Sequence, residues 1–192
     1  MEGVKIFEVR FHGRGGMGAW TATQILALAA IREGKHAQSF PLFGPEREGA
    51  PVEAYARIST EPIRLHCMIE SPDAVVVLDP TLMDVVEVSE GLKENGYLIV
   101  NSRDPPSSIR EKLRLSPSVK VFTVPATDIA VEILGRGITN TAMLGAFARA
   151  TNVIKLESLT QVVTELFTSK LGREVAEKNV KVIRRAYEEV KG

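Results

Sequence analysis

The chain has 192 residues, 44% hydrophobic and 25% charged, a composition that fits one globular domain with a sizeable core. Its 24 Lys and Arg balance 24 Asp and Glu, so it lacks the basic excess of a general nucleic-acid binder. The single cysteine, Cys67, excludes an internal disulfide framework, a self-contained iron–sulfur cluster and a cysteine-based zinc site.

Met1 to Phe11 holds two acids and no apolar run, which is not the pattern of a signal peptide. No apolar stretch reaches the roughly 18–20 residues that span a bilayer. The expected location is the cytoplasm, with no membrane contact. Val4 to Phe11 alternates, with Phe7, Val9 and Phe11 on one face and Glu8 and Arg10 on the other, and reads as a strand. The turn His12-Gly13-Arg14-Gly15-Gly16-Met17-Gly18 follows. Ala19 to Glu33 then reads as a helix, apolar on nearly all sides and therefore deeply buried, with Gly34 as its stop.

A glycine-rich turn between a strand and a helix allows positive φ and close approach of a ligand to the main chain. The first helical N–H groups have no partner within the helix and sit at the positive end of its dipole, a place suited to phosphates. Arg14 would add a charge-assisted hydrogen bond there. The alternative is that the glycines serve only close strand–helix packing.

Lys35 to Phe40 is a candidate second strand. Pro41 to Pro51 carries three prolines and two glycines together with Phe43, Glu46, Arg47 and Glu48. It is either a rigid ligand-contacting loop or an ordinary connection. Val52 to Thr60 alternates like a strand with one wet face, formed by Glu53, Tyr55, Arg57 and Ser59. Arg64 to Ile69 is read as extended, with Cys67 in the core and His66 incidental, because strand neighbours point to opposite faces. Ala74 to Leu78 is a continuous apolar run, the mark of a central parallel strand. Asp79 after it either lines a site or caps the next helix.

Thr81 to Lys93 reads as a helix, Tyr97 to Val100 as a strand, Ser107 to Leu115 as a short helix and Val119 to Val124 as a further strand. Thr127-Asp128 can cap a helix over Ile129 to Leu134, which Gly135-Arg136-Gly137 interrupts. At the next helix start, Thr139 or Asn140 is the cap, or Asn140 faces a ligand; small residues follow. Two helical stripes close the chain, one through Leu156, Leu159, Val163 and Leu166, the other through Ala176, Val180, Ile183, Tyr187 and Val190. The charged face of the last helix reads as solvated. The expected fold is α/β: a single doubly wound, mostly parallel, Rossmann-like sheet with a helical C-terminal layer, one domain over residues 1–192.

Gly13, Gly15 and Gly18 match Gly-x-Gly-x-x-Gly, a weak signal alone. The region where a dinucleotide fold needs an acid is His36-Ala37-Gln38-Ser39-Phe40, which has none. No Gly-Lys-Ser/Thr, Gly-x-Ser-x-Gly or His-Glu-x-x-His occurs. No constellation breaks bonds alone, so the residues point to binding of a phosphate compound.

Three segments in order carry a family resemblance: His12-Gly-Arg-Gly-Gly-Met-Gly-Ala19, Gly44-Pro-Glu-Arg-Glu-Gly-Ala-Pro-Val52 and Asn140-Thr-Ala-Met-Leu-Gly145. The chain resembles, over essentially its whole length, the gamma subunit of 2-oxoacid:ferredoxin oxidoreductases, and among them the pyruvate-oxidising group. It departs at Met17, where the family commonly has Gln, which removes a polar side chain and leaves the backbone donors. The resemblance implies a complex of alpha, beta, gamma and delta subunits. Such a complex decarboxylates a 2-oxoacid on thiamine diphosphate, passes electrons through [4Fe–4S] clusters to ferredoxin and transfers the acyl group to coenzyme A. Thiamine and clusters are expected on the other subunits, and no cofactor on this chain alone. By motif position the resemblance implies that Gly13, Arg14, Gly15, Gly16, Met17, Gly18, Arg47 and Asn140 help hold coenzyme A. The other implied role is purely architectural, and the 2-oxoacid stays open between pyruvate and another such as 2-oxoisovalerate.

Overall fold

The computed structural model describes residues 6–42 and 49–192. Met1–Lys5 and Phe43–Glu48, with Arg47 among them, lie outside the described residues. β1 (Ile6–Arg14) runs into α1 (Ala19–Arg32), then β2 (His36–Pro41) and β3 (Pro51–Ser59). β4 (Ala74–Val77), β5 (Tyr97–Asn101), α2 (Pro106–Lys112) and β6 (Lys120–Val124) follow. Four helices end the chain: α3 (Ala126–Leu134), α4 (Asn140–Thr151), α5 (Leu156–Leu171) and α6 (Arg173–Glu189).

The six strands form one sheet in the order β2-β3-β1-β4-β5-β6. β1, β4, β5 and β6 are mutually parallel, whereas β3 pairs antiparallel with both β1 and β2. The mostly parallel expectation therefore holds, with an antiparallel flank on one side. The parallel strands are apolar because both faces are covered. On one face Val9, Phe11, Ala74, Val76 and Ile99 pack under α1, α4 and the C-terminal helices; on the other, Val75, Val77, Leu98 and Val100 pack under Leu82, Val88 and Ile109.

Four local expectations fail, each for a tertiary reason. Residues 81–93 are not one helix: a 3-10 helix over Pro80–Asp84 gives way to turns. The Arg10 guanidinium takes hydrogen bonds to the carbonyls of Val88 (3.1 Å) and Glu90 (2.5 Å), oxygens that an α-helix would use itself. Gly91 sits at φ +69 where an added Cβ would lie 2.0 Å from the Glu70 carbonyl oxygen, so side chains are barred from this crossing.

Residues 64–69 form no strand, and Cys67 is exposed rather than core. The supposedly wet face of β3 is covered: Tyr55, Arg57 and Ser59 are all buried, and the Cys67 and Met68 carbonyls of this segment reach Arg57. Arg57 is 1% exposed; its Nε pairs with Glu8 at 2.9 Å and its Nη2 donates to the Cys67 carbonyl at 2.8 Å. Finally, α1 is not buried all round: Ala22, Ile25, Leu26, Ala29 and Ala30 face the core, while Leu28 and Ile31 are exposed.

The small residues of α4 do permit close packing. An added Cβ on Gly145 would stand 2.1 Å from the Ile183 carbonyl oxygen, so α6 passes directly over this residue. Gly145→Ala is expected to destabilise the protein by at least about 1–3 kcal/mol, the usual cost of overpacking. Gly137→Ala, whose Cβ would meet neighbours no nearer than 3.5 Å, serves as the control. Urea midpoints of the two variants check the contrast.

Candidate functional site: the glycine turn and its cleft

The glycines of the turn have three distinct jobs. Gly13 lies inside β1, where an added Cβ would approach the Ala19 Cβ to 3.2 Å, so its role is close strand–helix packing. Gly16 (φ 91) and Gly18 (φ 77) supply the left-handed backbone that swings the chain into α1. Gly15 is engaged on both sides, its amide donating to the Ala50 carbonyl (2.9 Å) and its carbonyl accepting from the Gly49 amide (3.2 Å). Met17 donates its amide to the Arg14 carbonyl at 3.0 Å.

Two amides of the turn are thus used within the protein. Among the described residues, the amides of Gly18 and Ala19 at the helix mouth meet no acceptor, and α1 has no side-chain cap. These are orphan donors of the kind a ligand satisfies.

Asn140, far off in sequence, closes on the turn. An added Cβ on Gly18 would stand 2.6 Å from its Nδ2. Its Oδ1 accepts from the Thr141 amide at 2.8 Å, which leaves Nδ2 on the Gly18 side. Thr139 occupies the N-cap position of α4 but makes no side-chain capping bond, and among the first-turn amides Thr141 is served by Asn140. The Thr139 hydroxyl instead donates to the Leu78 carbonyl at 3.3 Å, which anchors the start of α4 at the end of β4. Thr141 donates to Asn179 Oδ1 at 2.9 Å, and Asn179 in turn donates to the Val175 carbonyl at 2.8 Å, tying α4 to α6.

The turn and Asn140 open onto a cleft of about 490 Å³ between α1, the α3–α4 connection and the α5–α6 hairpin. Gly16, Met17, Gly18, Thr21, Gln24, Asn140 and Asn179 give it backbone and polar groups; Leu134, Ile138, Leu166, Phe167, Leu171 and Val175 give it an apolar wall. Among the described residues, Arg136, Lys170 and Lys178 are its charged lining residues, all cationic, although Lys178 also pairs with Glu174 at 2.7 Å. A cleft of this size, partly apolar and lined among the described residues by cations without a carboxylate, suits an anion that carries an apolar part.

Of the residues expected at the site, Gly16, Met17, Gly18 and Asn140 come together here. Gly13, Arg14 and Gly15 do not line the cleft, and Arg47 lies outside the described residues. Strand alternation accounts for the place of Arg14 away from the cleft. The missing Cβ of Gly13 points at α1, so Arg14, one residue on, points to the opposite face. There its Nε pairs with Asp79 at 2.6 Å. Asp79 also accepts from the Thr81 amide at 2.9 Å, so it both caps the 3-10 helix and binds Arg14. Burial works to raise the Asp79 carboxyl, but the hydrogen bonds from Thr81 and Arg14 outweigh it and hold the group below the usual carboxylate range. Arg136, Lys170 and Lys178 escaped the sequence because three separate elements contribute them; the Gly-Arg-Gly break at 135–137 was the only local sign.

Among the described residues, no group of three His, Cys, Asp or Glu side chains is placed to hold a metal ion, and no helix is long and apolar enough to cross a membrane.

His12 precedes the turn on the same face as Arg14. It is 3% exposed, with Nδ1 3.5 Å from Glu53. Burial drives its pKa down to about 4, helped by Arg10 and opposed by Glu53. A folded-state value below the ordinary 6.5 means that the unfolded chain binds the extra proton first. Stability is therefore complete above pH 6.5 and declines as pH falls toward 4, by about 3 kcal/mol for this residue. Denaturation midpoints across that window should fall less steeply in a His12→Gln variant than in the parent.

The comparisons with known proteins agree with one another. The family model for pyruvate ferredoxin/flavodoxin oxidoreductase matches residues 8–189. The common gamma subunit of the pyruvate/ketoisovalerate oxidoreductases of Pyrococcus furiosus is 52% identical over 183 residues, 95% of this chain and 96% of that one. Pyruvate synthase subunit PorC of Methanothermobacter marburgensis is 48% identical over 186 residues, 97% of this chain and 98% of that one. The crystal structure of pyruvate oxidoreductase subunit PORC from Thermotoga maritima superposes with a TM-score of 0.85 at 42% identity, covering 97% of this chain and 98% of the other.

Proposed function

The chain belongs to the pyruvate ferredoxin/flavodoxin oxidoreductase family, and from that premise we propose that it is the gamma subunit of a 2-oxoacid:ferredoxin oxidoreductase whose cleft at the glycine turn helps hold coenzyme A. The observation that carries this reading is the join of the Gly18 amide, Asn140 and three cations to an apolar wall, with no carboxylate among the described lining residues. Coenzyme A has this divided chemistry: a diphosphate and a ribose phosphate on one part, apolar surface on others. The phosphates would face Gly18, Arg136, Lys170 and Lys178, and an apolar portion would lie against Leu134, Ile138 and Phe167.

The thiamine diphosphate and [4Fe–4S] clusters that the family uses do not fit this chain. One cysteine cannot ligate a cluster, and no thiamine-type Gly-Asp-Gly occurs in the sequence. In the proposed assembly the alpha, beta and delta subunits hold them and pass electrons to ferredoxin, in the cytoplasm. Choice between pyruvate and a branched 2-oxoacid would then lie outside this chain. The name of the Pyrococcus relative, a gamma subunit common to pyruvate and ketoisovalerate oxidoreductases, supports that division.

One observation favours a purely architectural role instead: the amides of Gly15 and Met17 serve the protein itself. The two roles part in the assembled enzyme. Arg136→Glu and Lys170→Glu should each raise the KM for coenzyme A about tenfold or more, the scale of a lost charge-assisted hydrogen bond, with subunit assembly and the KM for the 2-oxoacid unchanged. An unaltered coenzyme A KM in both variants would leave only the architectural role.

A further inference from the structure

Arg14 was the strongest candidate for an anion ligand, and the fold gives it other work. Its guanidinium reaches three pieces of chain at once: Nε to Asp79 Oδ2 at 2.6 Å, Nη2 to Thr81 Oγ1 at 2.7 Å, and Nη1 to the Gly49 carbonyl at 3.1 Å. Asp79 is fixed in turn by the Thr81 hydroxyl at 2.8 Å. Gly49 and Ala50, where the chain enters β3, hydrogen-bond in both directions to Gly15.

These contacts meet at a particular place in the sheet. The chain leaves β1 for the α1 face and leaves β4 for the opposite face, so the carboxyl ends of these neighbouring strands form the switch point of the fold. Arg14 and Asp79 bridge that crevice directly. A turn with two positive-φ glycines has many alternative conformations, and the hydrogen bonds that select one must come from outside it. The engaged backbone of Gly15 and its clamp by Arg14 and Gly49 supply that selection, one residue before the cleft begins at Gly16.

We propose that Arg14 is a positioning residue: it locks Gly49–Ala50 and Asp79–Thr81 against the end of β1, thereby fixes the glycine turn at the mouth of the cleft, and does not touch what the cleft holds. Its link to function rests on the coenzyme A reading; its structural half does not. The planar fork explains why arginine is needed, since a lysine ammonium cannot serve the carboxylate, the hydroxyl and the carbonyl from one rigid plane.

The test compares Arg14→Lys, Asp79→Asn and the double variant in the assembled oxidoreductase. Amide hydrogen exchange at Gly15–Gly18 and the KM and kcat for coenzyme A turnover are read together. Each single variant should speed exchange of the Gly15 and Met17 amides and raise the coenzyme A KM by a similar factor, about five- to tenfold. kcat should change less than about twofold, and the double variant should be no worse than either single one, because both break one network. Asp79→Asn is the discriminating arm, as Asp79 lies outside the cleft. If Asp79→Asn leaves exchange and KM at parental values while Arg14→Lys raises KM, Arg14 contacts the ligand and the proposal is wrong. If exchange at the turn is unchanged in both, it is also wrong, whatever KM does. If exchange accelerates with KM unmoved, the strut stands and the coenzyme A reading is what fails.

Discussion

β1 is paired on both edges, antiparallel to β3 and parallel to β4, so its register cannot slip without breaking two ladders. That constraint fixes which of its side chains meets which layer. Val9, Phe11 and the bare Cα of Gly13 face the helices, and the 3.2 Å approach of Gly13 to Ala19 sets how tightly α1 folds back. Glu8, Arg10, His12 and Arg14 face the other way, into a layer of turns and short helical pieces. The glycine turn stands where these two assignments meet, and its geometry is inherited from the strand before it.

The polar face of β1 explains much irregular structure elsewhere. Arg10 collects carbonyls from Val88 and Glu90, Glu8 pairs with Arg57 of β3, and Arg14 takes Asp79, Thr81 and Gly49. The buried cations Arg10 and Arg57 require oxygens around them, and segments that would otherwise coil or extend regularly are recruited to supply them. Removing one partner of a pair buried like Arg57–Glu8 typically costs about 3–5 kcal/mol, so these contacts fix conformation as firmly as the apolar layers do.

The cleft is assembled differently. α4 is held at the end of β4 by Thr139, brought against Gly18 by Asn140 and joined to α6 by Thr141 and Asn179. The α5–α6 hairpin then carries Lys170 and Lys178 to the mouth of α1.

By itself the sequence determined the strands and helices whose burial is one-sided or complete. The alternation of Val4–Phe11, the apolar run of Ala74–Leu78, the stripes of the last two helices and the turn residues at Gly16 and Gly18 are local patterns that the backbone geometry must obey. The alternation around Gly13 even contained the reason why Arg14 turns away from the helix, though the partner on the far side was not written there. Only the tertiary structure decided what long-range partners impose. It unwound residues 85–93 around Arg10, buried Tyr55, Arg57 and Ser59 of β3, exposed Cys67 and drew Arg136, Lys170 and Lys178 to one cleft. Periodicity reports the side on which a residue is buried; the charge or carbonyl that waits there comes from chain tens of residues away.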